Sequence, residues 1–114
     1  MTGDVEIAVL TGAFTARPER VGDLAAVLAR YVVLTRGEPG CAGFSSAIDV
    51  SDANLLHIGG EWSDEIAIDA HMRSEHMTEL LKALGSAKVE SIRVDAYEGH
   101  YLRTLLGEAA PAED

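Results

Sequence analysis

The sequence predicts an α+β fold: one four-stranded antiparallel sheet with helices on one face, in the ferredoxin-like order β-α-β-β-α-β. Three observations lead there. Apolar residues recur at helical spacing in two regions, and four other stretches are short, apolar and rich in β-branched residues. The second and third of those stretches are joined by a short turn, which makes them an antiparallel hairpin. Both parities of the first strand are apolar, with Val5, Ile7 and Val9 alternating with Ala8, Leu10 and Phe14. Helices can cover one face of such a sheet, and the other needs a cover of its own. A second copy of the same sheet is the simplest, so the expected assembly is a homodimer.

Taken in order, Val5 to Phe14 reads as the first strand. Pro18 suits the first position of a helix, where its missing N–H costs nothing, and Glu19 complements the helix dipole. Val21, Leu24, Ala25, Leu28, Tyr31 and Val32 then form one apolar stripe, with Gly22 off it. The run Arg36-Gly37-Glu38-Pro39-Gly40 stops this helix, Gly37 as a left-handed cap and Pro39 as a breaker. Cys41 to Val50 is the second strand, Ser51 to Asn54 a turn and Leu55 to Trp62 the third strand. Ser63 is the expected N-cap of a short helix reaching about His71. Ser74 caps a second segment whose stripe is Met77, Leu80, Leu81 and Leu84, with Gly85 as its end. Lys88 to Tyr97 is the fourth strand. Residues 1–101 form the domain and 102–114 an extension, whose last six residues, AAPAED, read as a solvated tail.

The 114 residues suit a single domain, and 47% hydrophobic content is enough for a core. Nine basic against 19 acidic residues give a formal charge of −10, which repels nucleic acid and anionic membranes. No apolar run reaches the ~20 residues of a membrane span. The N-terminus lacks the basic and apolar regions of a signal peptide, and the lone Cys41 makes no internal disulfide, so a cytoplasmic location is expected.

Chemistry concentrates in Gly60 to Met77, GEWSDEIAIDAHMRSEHM, which holds the only Trp, two of four His and two of three Met. Trp62 shares strand parity with Gly60, Ile58 and Leu56, and if that face meets the helices the indole lines a pocket; its bland alternative is a structural anchor. His71 and His76 straddle the Ser74 break, and a kink there brings both to one mouth. Either imidazole suits a phenolic proton. Met72 and Met77 read as core or pocket wall. Tyr31 reads as core with a hydroxyl able to reach the pocket. His57 falls on the opposite parity and reads as structural, His100 is unassigned, and Cys41 reads as buried. Gly59-Gly60 either makes a bulge or opens room beside the sheet. No HExxH, Cys cluster or nucleotide-binding glycine motif occurs, and no carboxylate completes an obvious metal set near the histidines, so neither metal nor other cofactor is expected.

EPGCAGF (Glu38 to Phe44), the Gly60-Glu61-Trp62 strand end and AHMRSEHM (Ala70 to Met77) together resemble the antibiotic biosynthesis monooxygenase family, over roughly Val5 to Gly99. The resemblance implies a dimeric α+β barrel, two ferredoxin-like protomers with facing sheets, and a pocket between each sheet and its own helices. It also implies cofactor-independent oxidation of a phenol, quinol or anthrone by O2, the substrate supplying the electrons. On that reading His71 or His76 is the base, and Trp62, Met72, Met77, Tyr31 and Ile58 contact the substrate. Ile58 stands where anthrone-oxidising members have an Asn. Heme-degrading relatives use a Trp and a His whose counterparts fall at His71 and Leu81, and Leu81 cannot ligate iron. Two rival readings keep the scaffold: a non-catalytic dimer binding a small apolar ligand, and an isomerase or cyclase.

Overall fold

The computed structural model describes residues 6–108. Val5 and the expected tail at 109–114 lie outside the described residues. The elements are β1 (Glu6–Thr15), α1 (Pro18–Arg36), β2 (Cys41–Asp49), β3 (Asp52–Trp62), α2 (Glu65–Met72), α3 (Glu75–Ser86) and β4 (Ser91–His100). The sheet has the order β2-β3-β1-β4, and every neighbouring pair is antiparallel. This is the ferredoxin-like arrangement, with the second helical region split in two.

Strand parity decides which residues form the core. Ala8, Leu10 and Phe14 of β1 and Leu56, Ile58 and Trp62 of β3 are buried on the helix-covered face. Leu24, Leu28, Tyr31 and Val32 of α1 and Met77, Leu80 and Leu84 of α3 close over them. Leu81, expected on the α3 stripe, is instead 53% exposed. Ile7, Val9 and Ala13 of the other parity are only half-buried. The register places His57 and Glu61 of β3 and Arg93, Asp95 and Tyr97 of β4 beside them on this less covered face.

Several boundaries move for local reasons. Asp64, not Ser63, caps α2: its carboxylate accepts from Ala67 N at 2.9 Å. The Ser63 N–H is already committed to Gly40 O at 2.8 Å, which holds Ser63 to the end of the sheet. Gly37 takes right-handed dihedrals (φ −86°, ψ −1°), and the left-handed glycine of that turn is Gly40 at φ +82°. Helix α3 runs through Gly85 to Ser86, and β4 starts at Ser91, three residues later than expected. Ser74 caps α3 as expected, accepting from Met77 N at 3.2 Å. The hairpin turn is shorter than its sequence suggested. Asp49 pins it by accepting from Ser51 N at 2.9 Å and by pairing with His57 Nε2 at 2.8 Å. The Ser51 hydrogen bonds, then His57, lower the Asp49 carboxyl to about 2.

The two adjacent glycines do not make a bulge, since the β2–β3 irregularities fall at Cys41/Gly43 and Ile48/Asp49. Gly60 instead clears space for Phe44: a Cβ there would run into the Phe44 ring and meet Gly43 O at 2.8 Å. Gly60→Ala should therefore destabilise the fold by about 1–3 kcal/mol through overpacking. At Gly22, within α1, an added Cβ would meet nothing within 4 Å. Gly22→Ala should stabilise by about 0.5–1 kcal/mol. Urea unfolding of the two variants beside the parent checks both signs.

Candidate functional site

The site begins with how the chain leaves α1. After Arg36 the backbone turns through Gly37 to Gly40, with Glu38 N bonded to Thr35 O at 3.0 Å and Cys41 N to Glu38 O at 3.2 Å. Gly40 packs on Ser63 and α2 so closely that a Cβ would lie 2.8 Å from Ser63 Oγ and 3.0 Å from Ala67 Cβ. The positive φ and the close approach both demand glycine. This tight turn aims the Glu38 side chain inward, where only 13% of it remains exposed.

Three N–H donors converge on that carboxylate. Trp62 Nε1 donates to Oε1 at 3.1 Å. His71 Nδ1 lies 2.8 Å from Oε2, and His76 Nε2 lies 2.5 Å from the same oxygen. A carboxylate this enclosed is tolerable because its lone pairs are engaged. The donors come from the end of β3, the last turn of α2 and the first turn of α3. The Ser74 break brings the two imidazoles together: Ser74 Oγ donates to His71 O at 2.7 Å while capping α3. The ring centroids of His71 and His76 are 5.8 Å apart, and the Trp62 ring lies 4.9 Å from His71 at a 44° tilt.

Behind His71 stands Tyr31 of α1, whose Oη lies 2.6 Å from His71 Nε2 and 3.4 Å from Met77 Sδ. Burial, then the neighbouring Glu38 charge, raises the Tyr31 phenol well above its usual value. The phenol therefore keeps its hydrogen and donates it. With Nδ1–H directed at Glu38, His71 Nε2 accepts from Tyr31. Both His71 nitrogens are thus engaged, and the ring is 1% exposed. His76 has one nitrogen on Glu38 and a side chain 13% exposed.

A cleft of about 430 Å³ opens between the Glu38–Gly40 turn and α2. Pro39, Gly40, Ile66, Ala67 and Ala70 give it apolar walls, and Glu38, His71 and Ser74 border its polar end. Among the residues expected from the sequence, His71, His76, Trp62, Tyr31 and Met77 come together in one cluster, and His71 alone of them borders the cleft. Trp62, Tyr31 and Met77 lie in the packed core behind it. Ile58 is buried against the Gly12 position of the sheet, and Met72 is 45% exposed at the end of α2. Glu38 was not singled out from the sequence, although it opens the EPGC turn. It supplies the carboxylate that sequence spacing did not: Glu38, His71 and His76 place three potential metal-ligand atoms within 4.8 Å of one another.

The family model for antibiotic biosynthesis monooxygenase matches residues 7–83, most of the folded unit. The chain belongs to this family. No curated protein matches it. Among solved structures it is similar to a candidate antibiotic biosynthesis monooxygenase from Deinococcus radiodurans, at 24% identity and a TM-score of 0.83, over 88% of this chain and 99% of that one. The Rv0793 protein of Mycobacterium tuberculosis matches at 24% identity and a TM-score of 0.72, over 92% and 99% of the two chains. PA3566 of Pseudomonas aeruginosa matches at 23% identity and a TM-score of 0.74, over 84% and 94%. At these identities the solved structures establish the shared fold. No helix among the described residues is long and apolar enough to cross a membrane.

The Tyr31 environment has a measurable sign. A phenol whose folded pKa is raised adds stability that is fully present below about pH 10 and is lost as the pH climbs beyond it. Ultraviolet titration should show one of the three tyrosines ionising only as the fold gives way. Tyr31→Phe should remove that late step and cost about 1–3 kcal/mol, because His71 Nε2 is left without its donor.

Proposed function

We propose that this protein is a cofactor-independent monooxygenase that oxidises a small aromatic phenol, quinol or anthrone with O2. The observation behind this reading is the Glu38 carboxylate, clamped by three N–H donors, at the polar end of an otherwise apolar cleft. A planar ring fits between Pro39 and the Ile66–Ala67–Ala70 face of α2, with its hydroxyl toward Glu38. The carboxylate takes the phenolic proton, and His76, which is partly open to solvent, donates its Nε2–H to the same carboxylate at 2.5 Å and holds it at the cleft. His71, Trp62 and Tyr31 act as positioning residues that hold the carboxylate and fix its hydrogen-bonding pattern.

Deprotonation makes the ring electron-rich enough to reduce O2, which dissolves well in an apolar cleft. For an anthrone the balance closes without another reductant. The ring CH2 becomes C=O, one oxygen atom enters the product, the other leaves as water, and all four electrons come from the substrate. The family membership and fold support this reading, and the site supplies its base. A second reading has the same carboxylate in its favour. With acid and base groups side by side, the cluster also suits an isomerase that removes and returns a proton without consuming O2. A non-catalytic apolar-ligand binder would use the cleft alone.

Glu38→Gln and His76→Ala should each lower turnover by on the order of 10²–10⁴ while the circular dichroism spectrum is retained. Oxygen uptake with a panel of hydroquinones and anthrones reads this out, after exhaustive chelation of the protein. Unchanged rates in both variants would remove Glu38 and His76 from the chemistry. Turnover without oxygen uptake would favour the isomerase, and activity abolished by chelation would end the metal-free mechanism.

We further propose that the working form is a homodimer, with the half-buried sheet face around Ile7, Val9 and Tyr97 closed by a second copy as a barrel. Sedimentation at micromolar concentration should show about twice the 12.1 kDa chain mass. Val9→Lys should shift the protein toward monomer, because a charge on that face loses its hydration in the interface. A parent protein sedimenting only as a single chain would rule the barrel out.

A further inference from the structure

We propose that Glu38, His71 and His76 also form a binding site for one divalent transition-metal ion of the zinc class, taken up in exchange for the protons now lying between them. Two imidazoles and one carboxylate make a donor set that borderline ions accept as three protein ligands with one position left open. Here the three ligand atoms already lie within 4.8 Å of one another. Two of the three ligands have an outer partner of the kind that orients metal ligands. Trp62 Nε1 holds Glu38 Oε1 at 3.1 Å, and Tyr31 Oη holds His71 Nε2 at 2.6 Å. Glu38 and His71 also border the cleft, so a coordination position there stays open to water or ligand.

The hydrogen bonds can be rearranged without orphaning a buried group. An ion on His71 Nδ1 leaves the ring hydrogen on Nε2, which then donates to Tyr31 Oη. The phenol's own hydrogen then turns to Met77 Sδ, 3.4 Å away, as acceptor. The present 2.8 and 2.5 Å contacts to Oε2 are hydrogen-bond lengths. Tetrahedral coordination at about 2.0–2.2 Å needs those pairs to open by roughly 0.5–1 Å. His76, in the first turn of α3, and Glu38, in a turn, can supply that movement. The site itself does not depend on the oxidation chemistry. Its consequence rests on that reading: an ion on Glu38 neutralises the carboxylate that receives the substrate proton, so the loaded protein is the inhibited form.

The test is to titrate Zn2+ and Co2+ into chelator-treated full-length protein by calorimetry, following the visible bands of Co2+. The expected result is one ion per chain, with affinity at least tenfold lower in His76→Ala. Affinity should be unchanged in His57→Ala, which removes only the partner of Asp49. A measurement that needs no variant is the imidazole 15N spectrum, in which Zn2+ should move His71 and His76 but not His57 or His100. Absence of saturable one-to-one uptake, movement confined to His57 and His100, or a folded His76→Ala that binds as tightly as the parent would overturn the site. Loss of oxygen uptake on loading, restored by chelator, supports the inhibited form. Uptake that instead requires the ion confirms the site while refuting the metal-free oxidation, so the two failures are told apart.

Discussion

The arrangement of the site depends on one carboxylate. Glu38 ties the turn after α1 to the ends of β3 and α2 and the start of α3, and through His71 it reaches back to Tyr31 of α1. A charged group this enclosed is costly unless its hydrogen bonds are made, and each donor it holds would in turn be costly to leave unpaired. The interactions are therefore mutually enforcing. Removing any one leaves a buried polar atom elsewhere, which gives the cluster a single arrangement. The aromatic packing adds to this: Tyr31 meets Phe44 edge-on at 5.4 Å, and Phe44 meets Trp62 at 5.8 Å. The space for the Phe44 ring exists because position 60 carries no side chain.

The separation of roles within the cluster follows from burial. His71 has both nitrogens engaged and almost no exposure, which suits it to holding geometry rather than exchanging protons with solvent. His76 sits nearer the surface with one nitrogen committed. Two histidines five residues apart thus share one carboxylate yet differ in burial because a capped break, not a continuous helix, lies between them.

Much of the fold was legible in the sequence because its signals are local. The α1 stripe, the parity that buries Leu56, Ile58 and Trp62, and the Ser74 cap each express the periodicity or backbone chemistry of a single element. The cap of α2 falls one residue later than the expected Ser63, at Asp64, because a tertiary hydrogen bond ties the Ser63 N–H to Gly40 O. Half of the site was visible for the same reason: the two histidines and the Trp stand in one stretch. Glu38 was hidden because its neighbours, Gly37, Pro39 and Gly40, read simply as a helix stop. Its partners lie 24, 33 and 38 residues further along, and no local pattern encodes their convergence. Met72 and Ile58 show the converse, being plausible by composition but placed elsewhere by the fold.

The wall of the cleft is built differently from the clamp beneath it. Glu38, its hydrogen-bonding partners and Tyr31 behind them come from four elements and one turn, whereas the opposing surface is one face of an eight-residue helix bearing Ile66, Ala67 and Ala70. On that face Ile66 is 76% exposed, whereas Ala67 packs against Gly40 and His71 of the same helix belongs to the clamp. Exchanges of side-chain bulk at Ile66 would reshape what the opening admits, whereas bulk at Ala67 would press on Gly40 and the turn that carries Glu38. A short, separately capped helix thus offers an exposed position at which the opening can be reshaped apart from the carboxylate.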